Sequence, residues 1–135
     1  MSLRAAIASN GRRGRLRASS LRLAGGPIIV TPEVLTYGAN IAIDAGAGAA
    51  FQVTLTGATA QLDNPDNMVE GMQFVVEVIQ DGTGGRALTF DTAWDFGASG
   101  TPTLSTLAAG KRARISCVAK SSSKVDCVYA GNFGA

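Results

Sequence analysis

Histidine is missing from all 135 residues, and cysteine occurs only twice. Without an imidazole the chain by itself has no Ser-His-Asp or Cys-His catalysis and no histidine-ligated zinc, and two thiols cannot complete a tetrahedral thiolate site unless subunits share it. Aromatic residues make up 6% and charged residues 16% of the chain, and proline occurs four times. No stretch reaches the roughly 18–20 consecutive apolar residues needed to cross a bilayer as a helix, and the N-terminus lacks the unbroken apolar core of a secretory signal. No window sustains a helical period either, so helix has little foothold.

A further absence is local. The first 32 residues contain no Asp or Glu but six arginines, Arg4, Arg12, Arg13, Arg15, Arg17 and Arg22. The other six Lys and Arg face all ten acids, so the remainder carries −4 within a chain of net +2. An Arg-rich block mixed with Ser, Gly and Ala buries too little apolar surface to offset its ordering entropy, so it should order only on an acidic or polyanionic partner. The reading is a basic extended docking arm over 1–26 and a β domain over 27–135, divided at Gly25-Gly26-Pro27. Such an arm also has the composition of an organelle transit peptide, although Gly11 and Gly14 would interrupt the amphipathic helix that peptide needs. Nucleic acid is disfavoured as a partner because the arm has no aromatic ring to stack on bases. An acidic groove on a protein scaffold accounts for the arginines and also for Leu3, Ile7, Leu16, Leu21 and Leu23.

What remains is rich in Gly, Thr and Val and reads as all-β. Pro27 to Thr31 is an apolar run that Pro32 restricts to an edge or lead-in strand. Phe51, Val53 and Leu55 alternate with Gln52, Thr54 and Thr56, which predicts a strand with one wet face. Met72 to Gln80 is the longest predicted strand. Met72, Phe74, Val76 and Val78 share one face, while Val75 and Ile79 lie on the other beside Gln73 and Glu77. Val75 and Ile79 are therefore candidate subunit contacts. Asp81 to Gly85 turns the chain into Arg86 to Phe90, and Asp91 to Gly110 reads as loop. Lys111 to Ala119 and Val125 to Ala130 form a hairpin around Ser121-Ser122-Ser123. Cys117 and Cys127 fall opposite each other on its inner face, open either to a cross-strand disulfide or to two reduced thiols packed as small apolar residues. The fold expected is an antiparallel β-sandwich or a jelly-roll-like domain.

Chemistry-bearing constellations are few. The glycines Gly82, Gly84 and Gly85 lack the Lys-Ser/Thr of a phosphate-binding loop and read as a turn. Asp63, Asp66 and Glu70 could offer oxygens to calcium, but their spacing matches no EF-hand loop and a solvated turn is the simpler reading. Glu70, Glu77, Asp91 and Asp95 supply carboxylates without singling out a catalytic pair. Trp94, Asp95 and Phe96 form a candidate ligand loop, with Trp94 as a sugar-stacking ring or, more simply, as a cap on the core. No catalytic residue, cofactor or metal is expected, and no enzyme.

The run Val69-Glu70-Gly71-Met72-Gln73-Phe74, continued by Gln80-Asp81-Gly82-Thr83-Gly84-Gly85-Arg86-Ala87-Leu88-Thr89-Phe90, resembles a β module of tailed-phage fibre and decoration proteins. Trp94-Asp95-Phe96, Pro102-Thr103-Leu104-Ser105 and the closing stretch Ala113 to Phe133 extend the likeness over about the last 85 residues, and the basic arm matches more loosely. The resemblance implies a non-enzymatic structural protein of a virion assembled in the host cytoplasm. It would be a homo-oligomer, trimer favoured over pentamer, docked on capsid or tail scaffold proteins as a capsid decoration, head-fibre or collar component. A tail-fibre or carbohydrate-binding adhesion module using the Trp94 loop is the alternative, and a small organelle-targeted β protein a second.

Overall fold

The computed structural model describes Gly25 and residues 29–134. The arginines of the arm, and most of the hinge at Gly25-Gly26-Pro27, lie outside the described residues.

The body is all-β. Nine strands run in chain order: β1 (Glu33–Val34), β2 (Asn40–Ile41), β3 (Ala50–Leu55), β4 (Thr59–Leu62), β5 (Gln73–Gln80), β6 (Ala87–Phe90), β7 (Trp94–Asp95), β8 (Arg112–Ala119) and β9 (Val125–Phe133). Two 3-10 turns, Gly97–Ser99 and Leu104–Thr106, interrupt the connection between β7 and β8. The strands form a six-stranded sheet in the order β1-β3-β5-β8-β9-β7 and a three-stranded sheet in the order β2-β4-β6.

Up to β6 the chain alternates between the two sheets, and each of β1 to β4 pairs in parallel with the strand two places ahead. Glu33 pairs with Phe51 and Phe51 with Val76, while Asn40 pairs with Gln61 and Gln61 with Thr89. This is a parallel coil of three rungs. A parallel bridge between Asp44 and Asp66 ties the first two rungs at a third side. The expectation of an antiparallel domain is corrected here: antiparallel pairing is confined to β5 with β8 and β8 with β9, and β7 joins β9 in parallel. Alternation of apolar residues fixes which face a strand buries but not the direction of its neighbour, so the sequence pattern was compatible with both.

Alternation did place the core. Phe51, Val53 and Leu55 of β3, Phe74, Val76 and Val78 of β5, and Ala113, Ile115, Cys117 and Ala119 of β8 point inward, meeting Ile41, Leu62 and Leu88 from the smaller sheet in one apolar cluster. An aromatic chain crosses it, with edge-to-face centroid separations of 6.0 Å for Phe51 and Phe74, 6.3 Å for Phe74 and Trp94, 5.7 Å for Phe90 and Trp94, and 4.9 Å for Phe90 and Phe96. Such contacts add about 0.5–1.5 kcal/mol each beyond the area they bury.

Polar side chains step from rung to rung along the corners. Asn40 Nδ2 donates to Asp63 Oδ1 at 2.8 Å, Asn67 Nδ2 to Asp44 Oδ1 at 2.8 Å, and Asn64 Nδ2 to Thr92 Oγ1 at 3.2 Å. Asp44 is held below the usual carboxylate range by the Asn67 amide and by the Gly46 N–H. Gly46 to Ala49 form an exposed corner between the first rung and β3.

The turn after β5 is the most tightly bonded part of the body. Gln80 is buried, and its Nε2 donates to the carbonyls of Arg86 and Leu104 at 3.0 Å each, while its Oε1 accepts from Arg86 N at 2.8 Å. Asp81 Oδ1 accepts from the backbone N–H groups of Thr83 and Gly84, and its carboxylate pairs with Arg86 at 2.8 Å. The Arg86 guanidinium holds the Asp81 carboxyl down at about 2. The glycines of this run are therefore turn residues, as read.

Candidate binding surface

The outer face of the large sheet carries the features left unpaired. Strand register lays its side chains out as a grid. Gln73, Val118, Asp126 and Asp95 form one row across β5, β8, β9 and β7. Ala50, Val75, Ser116 and Val128 form the next, and Gln52, Glu77, Arg114 and Ala130 the third. Thr54, Ile79, Arg112 and Phe133 end the grid, beyond a register shift between Arg112 and Arg114.

The last two rows are satisfied among themselves. Arg112 and Arg114 both reach Glu77 Oε2, at 3.1 and 3.6 Å, and the Arg114 guanidinium lies 5.4 Å from the Phe133 ring centre. Ile79 sits half-buried beside them. The first two rows differ. They floor an open trough of about 1000 Å³ with half-buried Val75 and exposed Val118 and Val128, Val128 being 72% exposed. Asp95 and Asp126 line it at the β7–β9 side and Ala49 at the other, and no Lys or Arg lines it among the described residues. Val75 and Ile79, read as subunit contacts, thus share a face but not an environment.

Trp94, Asp95 and Phe96 divide between core and surface. Trp94 and Phe96 are buried, and the indole Nε1 donates to the Asp63 carbonyl at 3.0 Å. The ring that a sugar would stack on is packed against Phe74 and Phe90. Of the three, only Asp95 is exposed, and its Oδ1 caps the following turn through Gly97 N at 2.8 Å. The core-capping reading of Trp94 is the one that matches, and the ligand-loop reading loses its exposed ring.

Cys117 and Cys127 are directly paired across β8 and β9, both buried and both free thiols, with Cys127 Sγ donating to Cys117 Sγ at 3.4 Å. Lys120 N bonds to the Lys124 carbonyl, while the Val125 N–H is turned to Ala93. The alternation of an antiparallel ladder then places the cysteines at a non-hydrogen-bonded pair, where facing side chains stand closest. The neighbouring thiol and burial both push the Cys117 thiol up, so its reactive thiolate is scarce.

The carboxylates considered for calcium do not converge. Asp63 Oδ1 accepts from the side-chain amides of Asn40 and Gln61, Asp66 and Glu70 are exposed, and no cluster of three or more metal-ligating side chains occurs among the described residues. Sequence reasoning missed the trough because its acids come from β7 and β9, and β7 had been read as loop. Their juxtaposition depends on a two-residue strand that has no periodicity to detect.

No protein family, curated protein or solved structure matches the chain.

Proposed function

We propose that the chain is a non-enzymatic structural protein of a tailed phage or phage-like particle, an oligomeric capsid decoration, head-fibre or collar component whose β body is braced on the particle through its Arg-rich arm. The observation that carries this reading is the division of charge. Six arginines without an acid precede a body of net charge −4, and such a bipolar chain suits attachment to an acidic scaffold better than turnover of a substrate. The two-sheet body supports it as a rigid mount, because side-chain hydrogen bonds such as Asn40 to Asp63, Asn67 to Asp44 and Gln80 to Leu104 hold rungs and turns together.

In this reading subunits meet through the outer face of the large sheet, with Val75 and Ile79 among the contacts, and closed symmetry adds buried area to a small core. The test has two parts. Native mass of the full-length chain at moderate salt should show a closed oligomer of three, five or six copies. Removal of residues 1–26 should abolish incorporation into particles while the circular dichroism of the body is retained. Normal incorporation of the truncated chain refutes the docking role, and a monomer at all concentrations refutes the oligomer.

A further inference from the structure

We infer that the trough on the outer face of the large sheet is the seat of the chain's own N-terminal arm in the free protein. This inference stands whether or not the particle reading holds. Three observations converge on that occupant. The first is charge: Asp95 and Asp126 line the trough, no Lys or Arg among the described residues lines it with them, and the charged side chains of the arm are all arginines. Exposed pairs of opposite charge each gain little, so the attraction here comes from several arginines facing two acids.

The second is chemistry of the floor. Val118 and Val128 are exposed without a partner, and Val75 is only half covered. Leu21 and Leu23 flank Arg22 in sequence, so an extended segment there can set its leucines toward valine while the arginine reaches the acidic wall. A purely polar tail could not use such a floor.

The third is where the chain enters. Pro32 borders a groove together with Ala50 and Val75, and Val75 is also part of the trough floor. The arm therefore leaves the body at the trough's Ala49 side, opposite its acids. From β3 to β7 is four strand spacings, about 19 Å, which about six extended residues cover. Arg22 stands ten positions before Pro32, so the tether spans the trough with slack. A second copy is not needed to deliver the arm. Any acidic scaffold that takes the arm must draw it out of this seat and thereby uncover Val75 for a neighbouring subunit.

The arm contains no lysine, which allows a direct test in the full-length chain. Arg22→Lys introduces one amine, and a carbodiimide then joins it to whichever carboxylate it touches, with loss of water. Mass spectrometry is expected to find links from position 22 to Asp95 and Asp126 outnumbering those to Glu33. Glu33 is nearer along the chain and would win if the arm were merely tethered. In an equal mixture of 14N and 15N protein the links should lie within single copies. Adding Val128→Arg, at a position exposed enough to leave the fold intact, should abolish the links to Asp95 and Asp126. Links dominated by Glu33, links only between copies, or links that persist with Val128→Arg would each overturn the inference.

Discussion

Gln80→Leu removes a buried polar side chain, the one such among the described residues, which joins three segments of the body. Leucine fills a similar volume, so the change isolates hydrogen bonding from packing. It leaves the Leu104 carbonyl, the Arg86 carbonyl and the Arg86 N–H without the partners they hold at 3.0, 3.0 and 2.8 Å. The Leu104 carbonyl is in a fully buried setting and suffers the full loss, whereas Arg86 is half-buried and recovers part of its bonding from water. At about 1–3 kcal/mol for each stranded buried group, with some return from the added apolar surface, the net cost is roughly 3 kcal/mol. For a body of this size that lowers the melting temperature by about 10–20 °C. Urea and thermal melts followed by circular dichroism would read it, with Thr54→Val, at an exposed position of β3 away from the trough, as the neutral control. A loss below about 0.5 kcal/mol would refute the reasoning, because surface substitutions reach that size without any network.

Gly84 has φ of 72° and no room for a β-carbon beside the Ala108–Ala109 backbone, so Gly84→Ala should cost about 2 kcal/mol or more in a urea melt, while Gly82→Ala, with open space around it, should be near neutral. Asp81 has a folded-state value near 2 against an ordinary 3.8. Its contribution is therefore present above pH 4 and is lost as pH falls through the interval down to about 2. Asp81→Asn should flatten that part of the curve of melting temperature against pH, and an unchanged slope would contradict the pairing with Arg86. Cys117 and Cys127 should resist a thiol reagent in the native protein and both react in guanidinium, and rapid native labelling would show that the β8–β9 pair is not buried as described.

Legibility in the sequence followed the range of the interaction. The β8–β9 hairpin was readable to the pairing of Cys117 with Cys127, because a three-residue serine loop and strict alternation are local signals. The inward faces of β3 and β5 were readable for the same reason. The parallel coil was not, since β2 has two residues and β4 reads Thr-Ala-Gln-Leu, too short and too plain to register as strands. Their positions are set by rung-to-rung bonds such as Asn40 to Asp63, which join residues with no local pattern in common. Trp94 illustrates the opposite case. Its type pointed both to a ligand ring and to a core cap, and only the company of Phe74, Phe90 and the Asp63 carbonyl separated them.

The parallel coil also gives the body two unlike ends. At the far end β8 and β9 turn antiparallel against β5 and terminate the stacking, whereas at the near end β1 and β2 form the first step among the described residues. Length in such a fold comes in whole circuits, here 18 residues from Glu33 to Phe51 and 25 from Phe51 to Val76. Adding one residue inside β3, after Gln52, would swing Val53 and Leu55 to the wet side. A complete circuit laid beside β1 and β2 would make the body longer without changing its cross-section. Growth of this domain is thus quantised and one-directional, and the arm is joined to the end at which another step would be laid.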